Sequence, residues 1–199
     1  NLGYDTNFSI YDADDQKTLM RQIFKKLDVN TRYYKEKDVL AYVSAAKDKL
    51  WTPEDCEKEA ADFQEKKKAE LYREYQKELR QNNAMDFDDL IVNGVKLFRT
   101  CPEILEHYQE RFRYIMVDEY QDTNYAQFKL IELLAEKYRN LCVVGDDDQS
   151  IYKFRGADVT NILEFESAFP GARVVKLEQN YRSTGNILNA ANEVIRHNQ

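Results

Sequence analysis

The sequence has 199 residues, with 29 Lys and Arg against 36 Asp and Glu, and a formal net charge of -7. Its hydrophobic fraction of 43% and aromatic fraction of 13% exclude a disordered, solvating chain. No apolar run approaches the roughly 20 residues that a membrane span needs, and no signal peptide opens the chain. The acidic balance argues mildly against a protein that coats nucleic acid by bulk charge, but a local binding groove remains compatible with it.

The cysteines indicate a reducing compartment. Cys56, Cys101 and Cys142 are far apart and odd in number, and the sequence contains no CxxC pair and only two histidines. This pattern argues against a zinc site and predicts a cytoplasmic protein. Cys142 lies in an apolar stretch and is predicted to be a small buried hydrophobic residue. Because the chain begins at Asn1 rather than at Met, we expect a processed or excised piece.

The first 111 residues are predicted to form helices. Apolar residues recur at helical spacing over 19–27, behind an acidic cap region, and again over 39–50. Thr52 and Pro53 predict the start of one long charged helix that reaches about Asn82, with an apolar stripe at Ala61, Tyr72, Tyr75 and Leu79. Asp86 is predicted to cap the next helix. Together with Asp88 and Asp89 it forms an acidic cluster, for which helix capping is preferred over metal binding.

From about residue 112 the pattern changes to alternating strands and helices. Short apolar runs predict strands at 114–117, 141–144 and 173–177. Helices are predicted at 125–137, with Asn124 as the cap, at about 157–168, and at about 185–197 with Ser183 or Thr184 as the cap. The fold class is therefore α/β, with a parallel sheet that is covered on both faces.

Polar clusters follow each predicted strand, where functional groups gather in open parallel sheets. Asp118 is placed to hold Mg²⁺, and Glu119 to polarise a water molecule, although acidic residues after strands are more often turn formers. Residues 146–148 are three successive aspartates that need an ion, hydrogen-bond donors or open water, and Gln149 adds an amide that can position a phosphate or water.

Aromatic and basic residues extend these clusters. Tyr152 and Phe154 would face one way on an extended segment, which suits stacking on the bases of a single strand, whereas either ring alone is more often core. Arg182 stands between a strand and a helix, where a guanidinium can reach a phosphate, and a surface ion pair is an equally good interpretation.

Several of these segments resemble motifs II, III and IV of superfamily 1 DNA helicases of the UvrD/PcrA/Rep type. They are Asp-Glu-Tyr-Gln-Asp-Thr-Asn at 118–124, Gly-Asp-Asp-Asp-Gln-Ser-Ile-Tyr at 145–152, Arg-Gly-Ala-Asp at 155–158 and Leu-Glu-Gln-Asn-Tyr-Arg-Ser-Thr at 177–184. Residues 85–90 also resemble the segment that precedes motif II in that group. The resemblance is dense over 85–199 and looser over 1–84.

The resemblance implies roles in ATP hydrolysis for five residues. Asp118 would bind Mg²⁺, and Glu119 would activate the water that attacks the γ-phosphate. Gln149 would sense that phosphate and couple nucleotide state to the grip on DNA. Arg155 and Arg182 would act as arginine fingers, a role worth about 10³–10⁵ in rate in phosphoryl transfer generally.

The resemblance also implies contacts with adenine and with DNA. Tyr181 would stack on the adenine ring, and Arg182 would share the nucleotide site with it. Tyr152 and Phe154 would lie against single-stranded DNA. The family often has tryptophan where Phe154 stands, so stacking is expected to be weaker here.

The family's domain plan divides the chain into three pieces. Residues 1–111 resemble the helical domain 1B, which is an insertion that touches duplex DNA. Residues 112–178 resemble the second half of the RecA-like motor domain 1A, and residues 179–199 resemble the start of motor domain 2A. No Gly-x-x-x-x-Gly-Lys-[Ser/Thr] phosphate loop of a P-loop NTPase occurs in the sequence. We therefore expect the chain to be a fragment that is inactive alone. The phosphate loop would lie upstream in the full-length parent.

The resemblance thus implies part of an ATP-dependent 3′→5′ DNA helicase of repair or replication, with ATP, Mg²⁺, single-stranded DNA and duplex DNA as partners. The absence of a long apolar run predicts no membrane association. Two alternatives stay open: the helicase subunit of a helicase-nuclease complex, and a binding module that grips DNA or a partner without hydrolysis. The oligomeric state is left open.

Overall fold

The computed structural model describes residues 2–152, 156–163 and 165–197. Its strands are β1 (Ser9–Tyr11), β2 (Ala84–Asp86), β3 (Ile115–Val117) and β4 (Leu141–Val143). Its helices are α1 (Ala13–Lys26), α2 (Glu36–Asp48), α3 (Pro53–Glu59), α4 (Phe63–Gln81), α5 (Phe87–Thr100), α6 (Pro102–Arg111), α7 (Tyr125–Ala135), α8 (Thr160–Leu163), α9 (Phe165–Ala168) and α10 (Gly185–Ile195). Single 3₁₀ turns lie at Tyr120–Asp122 and Asp147–Gln149.

The strands form two parallel pairs. In the second pair Ile115 lies opposite Leu141 and Val117 opposite Val143, with α7 as the crossover, so β3, α7 and β4 form one β-α-β unit. This confirms the α/β class and the parallel arrangement. The first pair, β1 with β2, was not predicted. It joins the start of the chain to the residues just before α5, inside the region predicted to be all helical.

The core of the helical region is built from the predicted apolar faces. The residues buried at helical spacing include Leu19, Met20, Ile23 and Phe24 of α1, Val39 and Val43 of α2, and Leu71, Tyr75 and Leu79 of α4. Burial of each large apolar side chain contributes about 1.5–3 kcal/mol. None of the described helices combines the length and apolar character that a bilayer crossing requires.

The helix predicted from Pro53 to about Asn82 is two helices, so that prediction was wrong. The chain breaks after α3, where Ala60 is extended, and Asp62 starts α4 by accepting a hydrogen bond from the backbone N–H of Glu65. The Glu65 carboxylate in turn accepts the N–H of Ala61. These side chains satisfy backbone donors that a continuous helix would have used, and Ala61 is exposed rather than part of the stripe.

The sheet is less covered than the sequence predicts. Alternate residues of the two strands point outward: Met116 is 78% exposed, and Cys142, predicted to be buried, is exposed. The segment 173–177 is not a strand, and Val174 and Val175 are each 64% exposed. A strand needs a neighbour that accepts its hydrogen bonds, and among the described residues this segment has none.

The two final predicted helices are present with different limits. The helix predicted near 157–168 is described as α8 and α9 on either side of residue 164, which lies outside the described residues. It starts later than predicted, at Thr160, whose N–H and hydroxyl both donate to Asp158 Oδ1. The last helix, α10, follows Thr184, which stands at the N-cap position without a side-chain cap bond.

A lysine lies buried at the centre of the helical region. Lys47 of α2 is 1% exposed, and its Nζ lies 2.6 Å from Oδ2 of Asp86 and 2.9 Å from Oδ1 of Asp89. Both carboxylates are themselves buried. Burial raises the pKa of Asp89, and the Lys47 ammonium opposes that rise. Because an unpaired buried charge is very costly, these three side chains fix one another in place.

The same carboxylates cap α5. Asp86 Oδ1 accepts the N–H of Asp89 at 2.8 Å, and Asp89 Oδ2 accepts the N–H of Asp86 at 3.3 Å. From α4, the Tyr75 hydroxyl donates to Asp86 Oδ2 at 3.1 Å and Gln76 Nε2 donates to Asp89 Oδ1 at 3.1 Å. The cap predicted at Asp86 is confirmed, and the cluster ties α2, α4 and α5 together around Lys47.

The end of α2 contacts the β-α-β unit. Asp48 Oδ1 accepts a hydrogen bond from Nδ2 of Asn124, the predicted and observed cap of α7. A Cβ added to Gly156 would lie 2.0 Å from Asp48 Oδ2, so the glycine backbone, at φ +84°, packs directly on the carboxylate. Burial and the charge of nearby Asp88 raise the pKa of Asp48 to about 6, although the Asn124 hydrogen bond opposes the rise.

Replacing Lys47 with Met should lower the free energy of unfolding by about 3–5 kcal/mol, because it leaves Asp86 and Asp89 buried without a counter-charge. Urea denaturation followed by circular dichroism measures the change. Lys37→Met, on the exposed surface of the same helix, is the matched control and should shift stability by no more than about 0.5 kcal/mol. Equal effects of the two substitutions would contradict the role given to Lys47.

The pKa of Asp48 predicts that stability falls as pH rises from about 4 to about 6. In that window the folded state holds a proton that the unfolded chain, with an ordinary carboxyl pKa of 3.8, releases. Asp48→Asn keeps an acceptor for Asn124 and removes the buried charge. It should raise the unfolding temperature above pH 6 and change it little below pH 4. Asp5→Asn, at the surface, is the control, and an identical pH profile for both variants would count against the prediction.

Candidate active site

The candidate site lies where β3 and β4 end. Because the strands are parallel, their carboxyl ends meet at one edge of the sheet. The pairing continues past the strands: Val144 N–H donates to the Val117 carbonyl at 2.8 Å, and Tyr120 N–H donates to the Val144 carbonyl at 3.0 Å. These bonds bring the residues after Val117 and those after Val144 side by side.

Asp118 lines an open cleft at this edge. Its side chain is exposed, and its Oδ1 accepts the N–H of Glu119 at 2.9 Å. The cleft has a volume of about 370 Å³, and its walls also include Glu119, Asp122 and Gln127. Carboxylate oxygens at an open edge are the ligands that Mg²⁺ prefers, so Asp118 fits the metal role given to it.

Glu119 has a left-handed backbone, with φ 51° and ψ 41°. This conformation is uncommon for a residue other than glycine, and such outliers cluster at functional sites. The side chain is held from one side, because Gln121 Nε2 donates to Glu119 Oε2 at 2.8 Å. The turn is anchored by Tyr120, which is fully buried and packs edge to face on Phe165 with 5.6 Å between ring centroids.

Gln121 connects the two strand ends. Its side chain is 1% exposed, and besides donating to Glu119 it accepts the N–H of Asp146 on Oε1 at 3.1 Å. A Cβ added to Gly145 would lie 2.6 Å from the same Oε1, so the glycine permits the close approach. One amide therefore links the acidic turn after β3 to the acidic loop after β4.

The loop after β4 uses its own carboxylates as hydrogen-bond acceptors. Asp146 Oδ1 accepts the N–H of Asp148 at 3.1 Å, and Asp146 Oδ2 accepts Nε2 of Gln149 at 2.6 Å. The carboxylates of Asp146, Asp147 and Asp148 lie within 4.8 Å of one another and are all exposed. Water and these donors are the means by which the loop tolerates three like charges.

The segment after residue 155 is tied to the same turn. Asp158 N–H donates to the Thr123 carbonyl at 3.0 Å, and Asn161 Nδ2 donates to the same carbonyl at 2.9 Å and to Thr123 Oγ1 at 3.2 Å. Asn124, next in the chain, bonds Asp48. The acidic turn after β3 is thus held by the helical region, by the loop after β4 and by α8.

Residues 1–170 match the family described as the UvrD/REP helicase N-terminal domain. The chain belongs to this family. The resemblance to superfamily 1 helicases of the UvrD/PcrA/Rep type that its motifs carry is thereby confirmed.

Two curated relatives show the extent of the similarity. The ATP-dependent DNA helicase PcrA of Staphylococcus epidermidis is 52% identical over 197 residues, which is 99% of this chain and 27% of the relative. The ATP-dependent DNA helicase PcrA of Staphylococcus aureus is 50% identical over the same length and coverage. The chain spans 27% of the length of these relatives.

In this UvrD/REP-type chain the structure brings together only some of the predicted site residues. Glu119 and Gln149 lie at one sheet edge and are connected through Gln121 and Asp146. Asp118 lies at the same edge and accepts the N–H of Glu119. Arg155 and Phe154 lie outside the described residues. Tyr152 is described; its side chain is 37% exposed, and its carbonyl accepts the N–H of Ala157 at 3.3 Å.

Tyr181 and Arg182 stand on the exposed segment before α10. Tyr181 is 93% exposed, Arg182 is exposed, and the Arg182 N–H donates to Asn180 Oδ1 at 2.9 Å. Within the described ranges, no hydrogen bond or ion pair joins either side chain to Asp118, Glu119 or Gln149.

Sequence reasoning gave Gln121 and Asp48 no role. Gln121 lies inside the motif at 118–124, two residues after Glu119, and this position is the signal that could have found it. Asp48 carries no comparable signal, because its contacts are with residues 76 and more positions away.

Gly145→Ala should lower the free energy of unfolding by about 1–3 kcal/mol through overpacking. The added Cβ would lie 2.6 Å from Gln121 Oε1 and 2.8 Å from Cδ1 of Ile162. Gly185→Ala is the matched control, since nothing lies within 4 Å of a Cβ at the start of α10. Chemical denaturation compares the two variants, and equal stability would contradict the packing described for Gly145.

Proposed function

We propose that the chain is part of an ATP-dependent 3′→5′ DNA helicase that couples ATP hydrolysis to movement along single-stranded DNA and to duplex unwinding in repair or replication. The observation that carries the proposal is the bonded sheet edge, where Asp118 faces a cleft and Glu119 is held by Gln121. Membership of the UvrD/REP family and relatives named as ATP-dependent DNA helicases support it.

Asp118 and Glu119 would divide the hydrolytic chemistry between them. Asp118 offers exposed carboxylate oxygen at the cleft and would hold Mg²⁺. When bound with ATP, the ion supplies positive charge against the phosphate oxygens. Glu119 would orient the attacking water and accept its proton, and the Gln121 amide limits the positions that its carboxylate can take.

Gln149 and two arginines would contact the γ-phosphate of ATP. The Gln149 amide bonds Asp146 in this structure and would exchange that partner for the γ-phosphate or the attacking water. Arg182 is exposed on the segment before α10 and would act as an arginine finger, as would Arg155. Tyr181, whose ring is almost fully exposed, would stack on adenine.

DNA would be gripped mainly by aromatic side chains. Tyr152 and Phe154 would stack on the bases of a single strand, each contact contributing about 1–3 kcal/mol. Residues 1–111 would form the helical domain 1B against duplex DNA, 112–178 the second half of motor domain 1A and 179–199 the start of 2A. The end of α6 at Arg111 and the start of β3 at Ile115 support the first boundary. The cytoplasm is the compartment we propose.

In the full-length protein that contains these residues, Glu119→Gln should reduce DNA-stimulated ATP turnover by about 10²–10⁴-fold, because the amide cannot accept a proton from water. Binding of a fluorescent ATP analogue should be retained. Steady-state phosphate release measures the first quantity, and fluorescence titration the second. Glu136→Gln, at the exposed end of α7, is the control and should hydrolyse ATP normally.

Two results would contradict the proposal. Unchanged turnover in Glu119→Gln would remove its role as the base. A wild-type full-length protein that binds DNA but hydrolyses no ATP would instead favour the non-hydrolysing binding module.

A further inference from the structure

Gln121 has a buried side-chain amide whose nitrogen and oxygen both form hydrogen bonds. Its Nε2 donates to Glu119 Oε2 at 2.8 Å, and its Oε1 accepts the N–H of Asp146 at 3.1 Å. Only 1% of its surface is exposed, so bulk water has almost no access to its amide. A buried amide whose groups point at two different loops is costly unless both partners stay in place, so its position is sensitive to both.

We propose that Gln121 is a positioning residue for the hydrolytic reaction: it fixes the Glu119 carboxylate and joins it to the loop that carries Gln149. The inference rests on the proposed function. It assigns Gln121 no contact with substrate.

A continuous series of hydrogen bonds supports this role. Glu119 Oε2 is bonded to Gln121, Gln121 to the backbone of Asp146, and Asp146 Oδ2 to Gln149 Nε2 at 2.6 Å. The groups proposed to activate water and to sense phosphate are therefore separated by only two intervening residues. A shift of the loop after β4 would pull on Gln121 and move the Glu119 carboxylate with it.

The local packing leaves Gln121 little freedom to take another position. Its Oε1 would be 2.6 Å from a Cβ at position 145, so only a glycine there leaves room for the amide. Its carbonyl accepts the Ser150 hydroxyl at 3.4 Å, a second and weaker link to the same loop. Its neighbour Tyr120 is fully buried and holds the turn from the other side.

The chemistry needs an amide at this position. Glutamate would keep an acceptor for the Asp146 N–H, but it would lose the donor to Glu119 and place a second negative charge beside it. Methionine has a similar length, cannot donate to Glu119, and offers the Asp146 N–H only a weak thioether acceptor. The two substitutions therefore separate loss of the whole connection from loss of the Glu119 end alone.

The test uses the full-length protein and measures DNA-stimulated ATP hydrolysis. Gln121→Met and Gln121→Glu should each lower kcat by about 10–100-fold, the usual effect of removing a residue that orients a reactive group. KM for ATP should change by less than about threefold, because the nucleotide contacts remain. In a Glu119→Gln background, adding Gln121→Met should lower kcat little further, since both changes act on one group.

Gln109→Met is the matched control. Gln109 is also a buried glutamine, 7% exposed, and its Nε2 donates to the Leu133 carbonyl at 2.8 Å between α6 and α7. Its loss should lower the thermal unfolding midpoint, as at Gln121, and leave kcat unchanged.

The outcomes separate this inference from the proposed function. If Gln121→Met and Gln121→Glu lower the unfolding midpoint but keep wild-type kcat while Glu119→Gln is inactive, only the positioning role is overturned. Additive effects of the Gln121 and Glu119 substitutions on kcat would overturn it as well. If Glu119→Gln turns over normally, the proposed function itself fails, and the inference fails with it.

Discussion

Pairing of the buried Lys47 ammonium with Asp86 and Asp89 determines how the helices are arranged. An ammonium that is 1% exposed tolerates few alternatives, so α2 and α5 must keep their separation and rotation relative to each other. The position of Lys47 also fixes the position of the next residue, Asp48. The Asp48 carboxylate accepts a hydrogen bond from Asn124 at the start of α7 and packs against Gly156, which precedes α8. The helical region and the sheet edge are in this way placed by two consecutive residues of opposite charge.

The distribution of acidic residues follows from the same electrostatics. The net charge of -7 counted against a nucleic-acid-binding surface when taken as a bulk property. In the structure several carboxylates serve as acceptors for backbone N–H groups, at Asp86, Asp118 and Asp146 among others. Others gather at the ends of β3 and β4, where a cation would compensate them. The net charge therefore does not count against the DNA binding proposed for this chain.

Local signals predicted helix starts well, and long-range contacts were not predictable. The caps at Thr52, Asp86 and Asn124 were found because a cap depends on residues three positions apart. The prediction of a third strand at 173–177 was wrong, because an apolar run forms a strand only if a partner strand is present. The sequence was enough to predict that Asp118 and Glu119 follow a strand. The burial of Lys47 and the two hydrogen bonds of the Gln121 amide depend on distant residues and were not predictable.

The left-handed backbone at Glu119 has an energetic consequence for the site. Such a conformation costs of order 1–3 kcal/mol for a residue with a side chain, and it persists only where the surroundings leave no alternative. Buried Tyr120 and the Gln121 amide provide those surroundings before any ligand arrives. Folding thus offsets the free-energy cost of the conformation that orients the Glu119 carboxylate. The site is preorganised, so the proposed activation of water by Glu119 would require little further reorganisation.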